Sequence, residues 1–130
     1  MTSSFAISLS GLAAASTRLA TAGANIANAR STGGAGEGDG EGLYRPLRVE
    51  QTSAPGGGTR AVTVEVEPAT VPRFAPHDPR AGADGTSDFP NLSLSQQLVE
   101  LKLAKIAYQA NRAALEVGDE MLGEFLDATS

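Results

Sequence analysis

His77 and Asp78, adjacent in "APHDPR", are the one place in this 130-residue chain where a basic nitrogen and an orienting carboxylate stand side by side. Such a pair can activate a nucleophile. Here the chain has no cysteine, and no serine sits in a nucleophile-elbow context, so a histidine on a surface loop is the better reading. Glu37, Asp39 and Glu41 alternate with glycines, as the oxygen ligands of a calcium loop do. The twelfth position, where a bidentate glutamate should close such a loop, is Arg48, which leaves a solvated acidic linker. The same glycines lack the spacing of a phosphate cradle. Glu65 and Glu67 of "VEVE" fall two apart on a strand and share one wet face. "NLS" at 91–93 matches a glycosylation sequon by its letters, but Asn91 reads better as part of a helix start. No catalytic residue, metal ligand set or cofactor site is expected.

Asn25 and Asn28, in "AGANIANAR", pose a different question. Asparagine competes with the backbone for hydrogen bonds and costs several tenths of a kcal/mol relative to alanine inside a helix. Two of them, three apart in an alanine-rich run, need a compensating partner. They share a polar flank with Arg18 and Thr21, where their amides could bond a neighbouring chain. The competing reading is a local effect near the end of the helix, where asparagine is common.

Helices are the elements that must position these residues. From residue 3 to 29, Phe5, Leu9, Leu12, Ser16, Leu19, Gly23 and Ile26 recur at alternating spacings of four and three, which is a heptad seam. Ser16 and Gly23 make it narrow enough for close approach of a partner backbone. Thr2, Ser3 and Ser4 offer capping oxygens at its start. A second helix is predicted from Ser93, with Gln96 in capping-box spacing, to about Ala128. Val99, Leu103, Ile106, Ala110, Ala113, Val117, Met121 and Phe125 make one apolar stripe on it, and Leu101, Ala104, Tyr108, Leu115, Leu122 and Leu126 a second. Together they exceed the arc that one partner covers. One stripe can meet the first helix; the other needs further copies or other proteins.

Between the helices, "STGGAGEGDGEG" reads as a flexible loop. "LYRPLRVEQ" and "TRAVTVEVE" read as strands joined through "TSAPGGG", with Val62, Val64 and Val66 alternating with polar residues and Pro46 indicating an edge. Residues 68–92 are rich in proline and turn residues and are expected to form an irregular return path with few hydrogen-bonded elements. The fold class is thus mainly α with a small β excursion. The N- and C-terminal helices form an antiparallel coiled coil, with a hairpin and an irregular segment between them. The segments 1–30, 31–92 and 93–130 make one structural unit.

Charge points the same way. The net charge of −5 and the absence of a basic patch exclude general nucleic-acid binding. Residues 1–30 carry Arg18 and Arg30 with no acid, whereas residues 93–130 are acidic, so the two helices complement each other. Glu120, Glu124 and Asp127 oppose the dipole of their own helix, which a basic partner surface could offset. No apolar run approaches the roughly 20 residues of a membrane span, and no direct membrane insertion is expected. The opening "MTSSFAISLSGLAAAS" lacks the basic residues of a signal peptide, and its helical pattern continues past Ala15.

With "ANIANA" at 24–29, "AYQAN" at 107–111 and "DEML" at 119–122, the two ends resemble the bacterial flagellar basal-body rod and hook axial proteins. "YRP" at Tyr44, "FAPHDPRAGADG" at 74–85 and "FPNLSL" at 89–94 are most similar to the proximal-rod members. The Gly- and acid-rich insert before Leu43 departs from the short turn usual there. The resemblance implies a non-enzymatic structural subunit whose terminal helices pack as a coiled coil and stack helically into the drive shaft between motor and hook. It implies copies of itself and other rod proteins as partners, export by the flagellar type III apparatus without signal cleavage, and a place in the periplasm-spanning rod. Asn25, Asn28, Tyr108, Gln109 and Asn111 match its packing motifs. With the apolar positions Leu12, Leu19, Gly23, Ile26, Leu101, Ile106 and Leu115, they are the candidate assembly residues. From the residues alone, a cytosolic helical adaptor that binds one partner helix remains the alternative.

Overall fold

The computed structural model describes residues 2–34 and 43–129, with the backbone alone for Thr2 and Ser3. Two of the three N-cap candidates, and the acidic run Glu37, Asp39 and Glu41, therefore lie outside the described side chains. Helix α1 spans Thr2–Ala27 and helix α2 spans Leu94–Ala128. They pack antiparallel: Phe5 lies against Gly118, Gly11 against Asn111, Arg18 on Glu100 and Asn25 on Gln97. With that register α2 runs roughly 10 Å beyond the start of α1, at 1.5 Å per residue. Ser93 takes an extended N-cap conformation, but its hydroxyl meets Ser95 Oγ at 3.0 Å and makes no cap bond, so the capping box expected with Gln96 does not form.

Two antiparallel hairpins separate the helices. Strands β1 (Leu47–Ser53) and β2 (Thr59–Glu65) pair with Leu47 opposite Glu65 and Ser53 opposite Thr59. Their loop needs glycine, because Gly56, Gly57 and Gly58 all have φ near +90°, at 89°, 98° and 91°. The hairpin lies along α1. Its base is bonded to Asn25, and its tip reaches Ser10, whose Oγ accepts the Thr59 N–H at 3.1 Å. Val64 and Val66 are half-buried and Val62 is exposed, so the expected alternation holds only toward the base of β2.

The return path is more ordered than its prolines suggest. Strands β3 (Thr70–Phe74) and β4 (Thr86–Pro90) form a second hairpin within residues 68–92. Proline is tolerated because a two-stranded ribbon leaves half of its N–H groups unpaired. Gly33 extends this ribbon by bridging to Asp88, with the Gly33 N–H donating to the Asp88 carbonyl at 3.0 Å.

The interior is made of small residues. Among the described residues, the buried apolar side chains are Ala14, Ala15, Ala22, Ala69 and Ala104, together with Pro46 and Pro90. On α1 the inward line runs through Gly11, Ala15, Arg18, Ala22 and Asn25. The sequence seam is therefore rotated: Phe5, Leu12, Leu19 and Ile26 are half-buried, but Leu9 is 63% exposed and Ser16 is exposed. A Cβ on Gly23 would meet nothing within 4 Å, so the close approach expected there does not occur within the subunit. Gly11 makes it instead: a Cβ there would collide with the Asn111 amide.

Candidate assembly surface and the asparagine clamp

Asn25 is 1% exposed, at the point where α1, β1 and the first turn of α2 meet. Its Nδ2 donates to the Leu47 carbonyl at 2.7 Å and to Gln97 Oε1 at 2.9 Å. Its Oδ1 accepts from the Tyr44 hydroxyl at 2.8 Å and from the Leu47 N–H at 3.0 Å. These four bonds use the amide's two donors and both acceptor sites. Asn25 does to Leu47 what a strand partner would, pairing with both of its backbone groups at the start of β1. The expectation that this amide bonds a neighbouring chain is corrected: its capacity is filled inside the subunit, where it locks the registers of α1, α2 and the hairpin together.

Asn28 behaves differently. Its Nδ2 donates to the Ala24 carbonyl at 2.9 Å, and its own carbonyl accepts from both Ser31 N and Ser31 Oγ. This is the local helix-end role, so the two asparagines of the motif do separate jobs. One clamps tertiary structure; the other satisfies carbonyls where α1 stops.

Burial holds the Tyr44 hydroxyl above its ordinary pKa of 10.0. The folded state thus keeps the phenol proton more tightly than the unfolded chain does. The stabilisation is complete below pH 10 and is lost as pH rises through the folded pKa. Tyr44→Phe is expected to lower stability at pH 7 by about 1 kcal/mol, the net worth of a typical hydrogen bond. Denaturant titrations at neutral and alkaline pH should show the wild type losing stability above pH 10 while the variant loses less.

Other polar pairs reinforce the helix contact. Arg18 Nε donates to Glu100 Oε1 at 2.5 Å, the pairing that the charge asymmetry of the helices predicts. Asn111 donates its Nδ2 to the Ala107 carbonyl at 2.8 Å and packs its amide over Gly11. Between α1, the hairpin base and the start of α2 lies an open groove of about 570 Å³, lined by Arg18, Asn25, Leu47 and Gln97 among others. Tyr44 stood out in the sequence only within "YRP"; Leu47, Gln97 and Gly11 are the structural residues that sequence reasoning missed. Only the spacing of Gln97 to Leu101 and Ala104 on one helix face could have pointed to any of them.

One exposed stripe of α2 is apolar, flanked by charged residues such as Lys102, Lys105 and Arg112. Ile106 is 55% exposed, Met121 61% and Phe125 56%; Val99, Leu103 and Val117 are similar. Of the two stripes read from the sequence, Leu101, Ala104, Leu115 and Leu122 face inward and the other stripe faces solvent. Tyr108 is partly exposed and Gln109 exposed, on the surface rather than in the helix contact.

Enzyme-like chemistry does not assemble. His77 is exposed in the β3–β4 connection, and the Asp78 carboxylate takes the Arg80 N–H at 2.8 Å. Asp84 likewise caps its own turn, with Thr86 donating from N and Oγ1 and the backbone bond holding the carboxyl below its ordinary range. Glu65 of "VEVE" pairs with Arg45 at 3.2 Å. Among the described residues no group of three His, Asp or Glu could hold a metal, and no helix is long and apolar enough to cross a membrane.

A family profile described as flagella basal body rod protein matches residues 5–35, which take in α1 from Phe5 onward, both asparagines and the exit to Gly33. The flagellar basal-body rod protein FlgC of Salmonella typhimurium is 36% identical over 124 residues, covering 91% of this chain and 90% of that protein. FlgC of Escherichia coli O157:H7 is 35% identical over the same span. The similarity therefore runs through both helices and both hairpins, and the chain belongs to the flagellar basal-body rod protein family, in its FlgC group.

Proposed function

We propose that this chain is a non-enzymatic structural subunit of the bacterial flagellar basal-body rod, assembling through its terminal helices so that the stack carries motor torque. The observation that carries this reading is the inside-out distribution of apolar residues. Alanines fill the interior of the subunit, while leucine, isoleucine, methionine and phenylalanine line the outside of α2.

Export without cleavage, into a periplasm-spanning rod made with other rod proteins, completes the proposal. It is supported by the use made of the N-terminal segment. Phe5, Ser10, Gly11, Ala14 and Ala15 pack on α2 or the hairpin, so cleavage after the small residues would strip contacts from both. The test is quantitative mass spectrometry of basal bodies purified from the source bacterium. The expected result is this chain at a copy number comparable to the other rod components, carrying its intact N-terminal peptide. Its absence from the basal bodies of motile cells would overturn the rod assignment in favour of a cytosolic adaptor.

A further inference from the structure

The charges beside the exposed apolar stripe of α2 are sorted along the helix. At 100° per residue, one flank of the stripe carries Lys102, Lys105 and Arg112 in its first half and Glu116, Glu120 and Asp127 in its second, all of them exposed. The opposite flank carries one charge, Glu100, which Arg18 of α1 already holds. The apolar residues of the stripe are disposed about a midpoint near Ala113: Leu103, Ile106 and Ala110 precede it, and Val117, Met121 and Phe125 follow. The strands pack on α1 and on each other, so among the described residues none covers this face of α2.

We infer that two copies of this chain, outside the rod, meet stripe to stripe through α2 as a closed antiparallel pair. Charge selects this occupant. A two-fold axis turns the charged flank onto its own reverse, so the basic half of each helix faces the acidic half of the other and every attraction occurs twice. A parallel pair would set the charged flank against the bare one and gain none of this. The basic half also offsets the acids that oppose the dipole at the end of the other copy's α2. Side-chain size agrees with charge in one register. Setting Val117 opposite Ala110 of the second copy also sets Met121 opposite Ile106 and Phe125 opposite Leu103, and it brings Lys102 within two positions of Asp127. Apolar residues then meet over about 45 Å of helix, at 1.5 Å per residue.

Because both copies present the same surface, the contact is isologous and stops at two. The proposal goes beyond the rod reading and does not rest on it. For a rod subunit its consequence is a stored state. The pair hides an apolar stripe that would otherwise stand in water, and it must open before that stripe can meet any other surface.

The purified full chain tests this directly. Sedimentation equilibrium at micromolar concentration and above is expected to give twice the subunit mass of 13.2 kDa, with no larger species. Lys102→Glu with Lys105→Glu is expected to weaken the pairing at least about tenfold at unchanged helicity. Adding Glu120→Lys and Asp127→Lys to that same chain should restore it, because the swapped pattern complements itself again. The chain has no cysteine, so disulfides can read the register. Ala113→Cys lies near the two-fold axis and is expected to oxidise to a covalent dimer, whereas Leu103→Cys, about 30 Å from its own copy in this register, is not. A monomeric parent, a series of species beyond the dimer, no restoration in a swapped chain that keeps its helicity, or crosslinking of Leu103→Cys as readily as Ala113→Cys would each overturn the pairing. None of these outcomes touches the rod reading, which recovery of the chain in basal bodies decides.

Discussion

Asn25→Ala is expected to lower the stability of the isolated subunit by about 3–4 kcal/mol, whereas Asn28→Ala should change it by less than about 1 kcal/mol. The contrast follows from where the partners sit. Removing the Asn25 amide strands the N–H and C=O of Leu47, the Tyr44 hydroxyl and Gln97 Oε1 at a site that is 1% exposed. Each unsatisfied buried group costs about 1–3 kcal/mol, and partial rehydration through the adjoining groove keeps the total below the sum. Removing the Asn28 amide frees only the Ala24 carbonyl, which already accepts the Asn28 backbone N–H at 3.1 Å, and alanine is the better helix former. For a chain of this length the Asn25 effect corresponds to a fall in Tm of roughly 10–15 °C. Thermal melts of the two variants side by side decide it: equal losses would mean that the motif acts as a unit and that the clamp is misassigned. Asn25→Asp sharpens the test, because a carboxylate keeps the acceptors facing Tyr44 and Leu47 N but cannot donate to the Leu47 carbonyl or to Gln97.

The different fates of the two asparagines show what the sequence could carry. Both break the alanine run, and their spacing identifies a shared flank. The partners of Asn25 lie 22 and 72 residues away, at Leu47 and Gln97, and nothing local encodes that meeting. Helix α2 was legible because its large side chains carry a strong period, and two stripes wider than one partner can bury already implied an unfinished surface. Helix α1 was legible as a helix but not in its rotation. Its true inner line of Gly11, Ala15 and Ala22 is made of residues that appear equally on its outer face, so the few leucines misdirected the seam. The β3–β4 ribbon was hidden by its prolines. Its order comes instead from side chains that cap their own turns, Asp78 on Arg80 N and Asp84 on Thr86, which composition alone reads as irregularity.

Leu103→Asp combined with Ile106→Asp is expected to cost the isolated subunit no more than about 2 kcal/mol, leaving it folded, while abolishing its incorporation into rods. Both side chains are already half in water, at 50% and 55% exposure, and neither lies on the face of α2 that holds α1. Folding therefore has little to lose. Assembly has much more, because burying one large aliphatic side chain contributes about 1.5–3 kcal/mol, and a carboxylate in its place must be desolvated without a partner. Two such sites correspond to at least about a hundredfold in affinity at each subunit contact, at 1.4 kcal/mol per factor of ten. The loss is repeated at every contact along the stack, so few assembled intermediates should survive. Circular dichroism with thermal melts reads the first half of the prediction, and swimming together with recovery of the chain in basal bodies reads the second. A variant that fails to fold would show that this stripe serves the fold of the single subunit. A variant that folds and still builds rods would show that α2 meets its neighbours through some other face.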